Sequence, residues 1–394
     1  YENVSYTAQK MCSEYNMNNE MIVSFLPLSH IAALMLDVFL TFYHKGSIGF
    51  AKPDALKGSL VESLNKYKPT IFFGVPRVYE KMMEKMKLVA EAKYSGTLGR
   101  WMRSFVNYGK TNTLKYHLNI QNRVFNGSKI STIKRFYNYV VFSKIKQNLG
   151  FDRTRYFFTG AAPTPVATIN WFARLGIYIQ EAYAMTENTC YSHVTLNDNI
   201  KVGSVGKALP FCNVKLSEIN EILIKHEALM LGYYKDEKQT KEIIKDGWLH
   251  TGDEGSIDEE GFLKITGRVK DIFKTTKGKY IAPTPIEMKL SENNYIEQVC
   301  VVGNGIPQPI ALAVLSEDAR NSNDLKESIS QTLHNVNKTL DKHEVLNNIV
   351  LLKENWTVEN KFLTPTMKIK RNSIEKKYQE NYSTWYEKDK VIEI

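Results

Sequence analysis

Cysteine is scarce in this chain of 394 residues: Cys12, Cys190, Cys212 and Cys300 lie far apart, with no Cys-x-x-Cys pair. That spacing excludes a zinc ribbon or a disulfide-stapled scaffold and fits a reducing compartment. Twelve prolines and 22 glycines are too few for a collagen-like or low-complexity chain. No apolar run reaches the roughly 20 residues of a bilayer span; the longest, Ile31 to Phe42, is interrupted by Asp37. Nothing at the N-terminus has the layout of a signal peptide, and residue 1 is Tyr rather than Met, so the chain is expected to begin inside a longer protein. One stretch lacks acidic residues altogether: residues 92–151 hold eleven Lys and Arg and no Asp or Glu.

That stretch carries the charge imbalance. The chain has 52 Lys and Arg against 42 Asp and Glu, a net charge of +10, and outside the stretch it is close to neutral. Partners are therefore argued locally. The same window holds Trp101, Phe105, Tyr108, Tyr116, Phe125, Phe136, Tyr137, Tyr139 and Phe142. Three surfaces accommodate such a mixture. One is a solvated basic face with its rings packed inward; another is peripheral contact with an anionic membrane, rings at headgroup depth; the third is an RNA platform. No nucleic-acid motif accompanies it, and no nucleic-acid partner is expected.

With 43% hydrophobic and 24% charged residues, the chain has the composition of a soluble protein, and its length predicts two or three domains. Short apolar runs at Met21–Leu26, Ser47–Phe50, Thr70–Phe73, Arg155–Thr159 and Gly176–Gln180 read as strands alternating with helices. That pattern predicts an α/β unit with a largely parallel sheet over residues 1–201. Short strands with Gly-rich turns then predict an antiparallel, barrel-like unit over 202–267. A compact α+β domain follows over 268–394, with the boundary at Arg268–Asp271.

Four segments carry chemistry. Gly160-Ala161-Ala162-Pro163 follows a strand and is built of small residues, so a flat ring can approach its backbone. Glu181-Ala182-Tyr183-Ala184-Met185-Thr186-Glu187 offers an aromatic face, a hydroxyl and a carboxylate, suited to a nucleobase, a phosphate and a divalent cation. Alone, a Tyr before a Thr-Glu pair is more often a buried ring and a helix cap. Asp246–Asp253, read as DGWLHTGD, precedes Gly267-Arg268-Val269-Lys270-Asp271; a carboxylate there would hold a ribose and an Arg behind it would reach oxygens. Thr364–Arg371, read as TPTMKIKR, places Lys368 in a tail that would deliver a point charge to a phosphate.

Taken in order, GAAP, YAMTE, DGWLHTGD, GRVKD and the late PTMK resemble the adenylate-forming superfamily of acyl-CoA synthetases, luciferases and peptide-synthetase adenylation domains. Leu26–Ala33, Lys52–Leu60 and Gly74–Met82 look like the bubblegum-type long-chain acyl-CoA synthetases. The resemblance runs from residue 1 to about Arg371. It implies a large N-terminal domain, parallel α/β sheets plus a β-barrel subdomain and incomplete here, and a small mobile C-terminal domain. It implies ATP, Mg²⁺ and coenzyme A, a long-chain fatty acid as substrate, and a cytoplasmic location with peripheral attachment to the endoplasmic reticulum or another membrane.

Residue by residue, the resemblance implies that Gly160, Ala161, Ala162 and Pro163 approach the adenine edge. Glu181, Ala182, Tyr183, Ala184, Met185 and Thr186 would line the ATP site, with Tyr183 stacked on adenine and Thr186 on phosphate. Glu187 would hold Mg²⁺, Asp253 the ribose hydroxyls with Arg268 assisting, and Lys368 would be catalytic. Lys270 matches the hinge, and His30 the acyl and pantetheine channel. Lys370 and Arg371 are family-typical but not catalytic.

Three departures from the pattern stand out. Ala184 replaces the usual Gly; the hairpin after Leu216 is short, reading Ser217-Glu218-Ile219-Asn220-Glu221; and no Ser/Thr/Gly-rich loop ending in Pro-Lys-Gly occurs. Relatives carry that phosphate-cradling loop just before the segment matching Tyr1–Val4, so residues 1–394 alone are expected to be inactive. The expected activity is a long-chain fatty acid–CoA ligase. A synthetase for medium-chain or aryl acids, and a non-catalytic adenylate or lipid binder, remain open on sequence alone.

Overall fold

Short runs bounded by turns become strands in the computed structural model, which describes residues 2–93, 96–121, 128–196, 200–320, 322–364 and 368–394. Seven of them form one sheet: β1 (Met21–Ser24), β2 (Ser47–Phe50), β3 (Ile71–Gly74), β4 (Tyr156–Gly160), β5 (Ile179–Tyr183), β6 (His193–Val194) and β7 (Lys207–Ala208). The order is β2-β1-β3-β4-β5-β6-β7. Its first five strands are parallel and the last two pairings antiparallel. Helices Leu60–Tyr67, Pro76–Lys93 and Val166–Ala173 pack on it, burying Leu64, Phe72, Tyr79, Phe157 and Phe172 together. A covered parallel sheet explains why its strands read as unbroken apolar runs.

This sheet belongs to the first of two units, which comprises Tyr1–Lys215, Leu223–Thr251 and Ile257–Lys264. The second comprises Leu216–Ile222, Gly252–Ser256 and Ile265–Ile394. β8 (Asn213–Leu216), β9 (Glu221–Lys225), β10 (Ile244–Lys245), β11 (Trp248–Ile257) and β12 (Leu263–Arg268) form another sheet, whose residues are divided between the units.

Two local findings differ from the sequence expectation. The strand expected at Gly176 starts at Ile179 instead, because Gly176, at φ +69°, closes the turn after the preceding helix. The apolar segment after His30 is helical, but Leu34–Leu40 is wound as a π-helix with Asp37 buried. Such windings concentrate at functional sites.

The basic window is helical, with helices Gly96–Gln121, Ser128–Tyr137 and Ser143–Asn148 and a π turn at Asn138–Phe142. Tyr137 and Phe142 are buried, whereas Trp101, Phe105, Tyr108, Phe136 and Tyr139 are exposed. Arg123 and Phe125 lie outside the described residues, as do the side chains of Lys93, Arg100 and Lys129. No described helix is long and apolar enough to cross a membrane.

In the second unit, the hairpin β13 (Phe273–Lys274) and β14 (Tyr280–Ile281) precedes a sheet of β15 (Ile296–Val302), β16 (Ile310–Leu315), β17 (Ile349–Leu352) and β18 (Val391–Glu393), in that order. Alternation sorts its residues onto two faces. Val299, Val301, Ala311, Ala313 and Ile349 meet Ile286, Leu290, Ile329 and Leu333. Cys300, Val302, Leu312, Val314 and Val350 meet Ile374, Tyr378, Tyr382 and Trp385.

Candidate active site

In open parallel sheets, ligands bind where the strands end, and the small-residue loop leaves β4 at that edge. Gly160 pairs with Ala182 across β4 and β5, and a Cβ on Gly160 would lie 2.8 Å from the Ala182 carbonyl oxygen. Only glycine permits that approach. Ala161 then takes φ +71°, a strained left-handed conformation, and the Thr159 and Thr164 hydroxyls, 3.1 Å apart, tie the loop's two ends together. Ala162 and Pro163 are exposed. The pairing sets this loop beside Glu181–Tyr183, so two of the four motifs share one edge.

Beyond β5 the chain turns tightly. Met185 N–H donates to Asn188 Oδ1 at 3.0 Å, Thr186–Asn188 form a 3₁₀ turn, and Thr189 and Cys190 are both left-handed, at φ +53° and +59°. Thr186 is left exposed and Glu187 half-buried. The Tyr233 hydroxyl donates to Glu187 Oε1 at 2.7 Å, and Met230 N–H donates to the Glu187 carbonyl at 2.8 Å. Tyr233 was not among the residues expected from sequence. It stands 46 positions after Glu187, and Gly232, at φ +152°, is the local sequence sign of a special turn there, with Lys235 also left-handed at φ +56°.

Burial shapes the electrostatics of this edge. It pushes the Glu181 carboxyl up to about 8, opposed by a hydrogen bond from the Gly203 N–H. It holds His193 down at about 3, keeping the ring neutral 6.0 Å from the Tyr183 ring. Burial and the bond to Glu187 raise the Tyr233 phenol to about 12, so it stays a donor. His30 caps the helix after β1, its Nδ1 accepting from Ala32 N–H at 3.2 Å. On the π turn that follows, burial pushes Asp37 up to about 7 against a hydrogen bond from Ser24.

The second unit holds the remaining residues. Asp253 on β11 is buried, and Arg268 Nε on β12 donates to its Oδ1 at 2.9 Å. The Val269 N–H donates to the Gly252 carbonyl at 2.9 Å, fixing the exit from β12. Lys270 follows on an exposed turn closed by Asp271 N–H to the Arg268 carbonyl at 3.0 Å. Lys368 is bonded to Thr364: its N–H donates to Thr364 Oγ1 at 3.0 Å, and Thr364 N–H donates to its carbonyl at 2.8 Å. Pro365, Thr366 and Met367 of that motif lie outside the described residues. Arg371 is largely buried, at 11% side-chain exposure, with Nη2 2.5 Å from Glu287 Oε1 and Nη1 donating to the Val301 carbonyl at 2.7 Å. It anchors the start of the helix Arg371–Tyr378, just after Lys368, to the sheet.

Among the described residues no group of three or more His, Cys, Asp and Glu is placed to hold a metal. A lone carboxylate beside an exposed hydroxyl, as at Glu187 and Thr186, fits Mg²⁺. That ion takes one or two carboxylates and otherwise phosphate and water.

Residues 1–234 match the family model described as AMP-binding enzyme, and residues 270–390 match the AMP-binding enzyme C-terminal domain. The chain belongs to the AMP-binding enzymes. It is 33% identical to long-chain-fatty-acid–CoA ligase ACSBG2 of Xenopus laevis, over 98% of this chain and 58% of that protein. To long-chain-fatty-acid–CoA ligase ACSBG1 of Macaca fascicularis it is 31% identical, over 95% of this chain and 56% of that one. The chain thus spans little more than half the length of these relatives.

Solved structures share the fold. The adenylation domain of the Segniliparus rugosus carboxylic acid reductase, in complex with AMP and a co-purified carboxylic acid, aligns at TM-score 0.67 and 19% identity over 93% of this chain and 54% of that one. O-succinylbenzoate coenzyme A synthetase of Bacillus subtilis, in complex with AMP, aligns at 0.67 and 18% over 95% and 65%.

Proposed function

We propose that the protein is a long-chain fatty acid–CoA ligase working in two half-reactions. In the first, the fatty-acid carboxylate attacks the α-phosphorus of ATP in line; the bond to the pyrophosphate oxygen breaks, leaving an acyl adenylate and pyrophosphate. In the second, the thiol of coenzyme A attacks the acyl carbon, loses its proton and expels AMP. The observation that carries this reading is the pairing of Gly160 with Ala182, which sets the small-residue loop beside the Tyr183–Glu187 segment. The sequence likeness to long-chain ligases supports it.

The roles follow from the chemistry of each group. Tyr183 gives a ring face for adenine against Gly160–Pro163; Thr186 donates to phosphate, and Asp253, held by Arg268, accepts the ribose hydroxyls. Glu187, oriented by Tyr233, would hold Mg²⁺, which when bound supplies positive charge against phosphate oxygens. Lys368 supplies charge to the α-phosphoryl oxygens as they gain it, a transition-state contribution. Lys270 is the turn about which the small domain alternates between half-reactions, and His30 borders the acyl and pantetheine channel.

The reading includes peripheral membrane contact on the cytoplasmic side, at the endoplasmic reticulum or another membrane, and no nucleic-acid partner. Exposed Trp101, Tyr108, Phe136 and Tyr139 stand among exposed Arg103, Lys115, Arg135 and Lys144. Each such cation contributes about 1 kcal/mol near an anionic surface. Sedimentation with anionic vesicles should fall when these four cations become Gln; equal sedimentation would leave a solvated face. The activity itself is tested by acyl-CoA formation in the gene-encoded protein across acids of graded length. Product from long-chain acids is expected. Turnover of medium-chain or aryl acids alone, or adenylate binding without turnover, would replace this reading with one of its alternatives.

A further inference from the structure

A second set of polar groups gathers at the opposite end of β5, where no motif drew attention. Lys134, on the helix Ser128–Tyr137, has its Nζ 4.0 Å from the Tyr116 ring centroid and 5.1 Å from that of Tyr178. Tyr178 is stacked on His117, centroids 4.7 Å apart and planes 11° from parallel. Lys146, on the helix Ser143–Asn148, donates to the Gly176 carbonyl at 2.8 Å. His117 Nε2 and the Tyr178 hydroxyl are buried without a hydrogen-bond partner among the described residues, and so is Thr113 Oγ1 one turn before His117.

The charge here is of one sign. Burial lowers Lys146 to about 8, with Lys134 lowering it further, and burial and Arg135 lower Lys134 itself. His117 is held down at about 4 by burial and Lys134. Among the described residues no carboxylate offsets any of these shifts. Partly buried ammonium groups without an anion, and orphaned donors, each cost stability, so a fold that keeps them together lacks something they complement. Capping of the helix Val166–Ala173 accounts for the bond from Lys146 to Gly176. It does not account for Lys134, His117 or Tyr178.

We infer that Lys134, Lys146, His117 and Tyr178 form a binding site for a phosphate monoester. Two ammonium groups match its two negative charges, where a carboxylate would leave one unneutralised. The neutral imidazole and the phenol add two donors for its remaining lone pairs. The site is not the nucleotide site: Tyr178 immediately precedes β5, and Glu181–Tyr183 close its far end, roughly 10–17 Å along a strand. A soluble metabolite or a lipid headgroup with a terminal phosphate presents the same chemistry.

The experiment uses sn-glycerol 3-phosphate by calorimetry, and vesicles of phosphatidylcholine with either phosphatidic acid or phosphatidylserine by sedimentation. The variants are Lys134→Gln and Tyr178→Phe. The Tyr178 hydroxyl has no hydrogen-bond partner among the described residues, and Lys134 lies against the Tyr116 and Tyr178 rings, a contact of about 1 kcal/mol, so unliganded melting temperatures should hold within about 4 °C. Saturable binding of glycerol 3-phosphate, weakened about tenfold by Lys134→Gln and about threefold by Tyr178→Phe, supports a site for soluble phosphates. Preference for phosphatidic acid over phosphatidylserine, lost in both variants, supports the same site with a lipid source. Binding of neither probe overturns the proposal, and so does binding that both variants retain.

Discussion

The phenolic oxygen of Tyr233 lies 2.7 Å from Oε1 of Glu187, so the carboxylate proposed to hold Mg²⁺ is oriented by a side chain 46 residues further along the chain. Tyr233→Phe removes that donor and keeps the ring. A hydrogen bond to a charged acceptor contributes about 1.5–3 kcal/mol. The KM for Mg·ATP should therefore rise about tenfold or more, with kcat within about twofold because no reacting atom is touched. Steady-state kinetics at varied Mg·ATP check this; a fall in kcat at unchanged KM would remove the orienting role from Tyr233.

Arg371 contributes through an ion pair, not through substrate contact. Its side chain is 11% exposed and that of its partner Glu287 16% exposed, and Glu287 Oε1 also accepts from Val301 N–H at 2.7 Å. Removing only the cation leaves a largely buried carboxylate unpaired, which costs about 3–5 kcal/mol. Arg371→Met should lower stability by that order in chemical denaturation, and Arg371→Met with Glu287→Met should recover most of it. A double variant as unstable as the sum of the singles would show that the two do not act as a pair.

Glu181 ties stability to pH. Its folded-state pKa, raised to about 8 by burial, exceeds the ordinary carboxylate value, so the folded protein keeps a proton that the unfolded chain loses. Stability from this group is complete below the unfolded value and is lost as pH rises towards 8. Glu181→Gln cannot ionise. Its melting temperature relative to wild type should therefore climb between pH 5 and pH 8.5, the wild type losing ground. Parallel curves would mean that Glu181 is ionised throughout.

How much of this was legible in the sequence varies with the physics. Gly160–Pro163 and Glu181–Glu187 were legible because glycine, small residues and the Tyr-x-x-Thr-Glu order are local signals, and β4 and β5 bring them together by plain parallel pairing. Tyr233 was not, since its meeting with Glu187 depends on the left-handed Thr189 and Cys190 and on the turn at Gly232. The window 92–151 announced its charge but not which cations turn inward. Arg135 and Lys144 are exposed, whereas Lys134 and Lys146 are half-buried against rings and a carbonyl. The π winding around Asp37 left no mark in an apolar run that reads as an ordinary helix.

Lys368 bears most directly on the central claim that one protein runs two half-reactions, and the measurement is ATP–pyrophosphate exchange with palmitate in the gene-encoded protein and its Lys368→Ala variant. Thioester formation from supplied palmitoyl adenylate and coenzyme A is followed in parallel. Loss of a charge-assisted contact made in the adenylation transition state costs about 3–4 kcal/mol, a factor of about 10²–10³ in rate. Exchange that requires palmitate and falls by that factor in Lys368→Ala, while thioester formation stays within about threefold of wild type, is the predicted result. Equal loss in both half-reactions, or exchange that proceeds without a long-chain acid, would contradict the account.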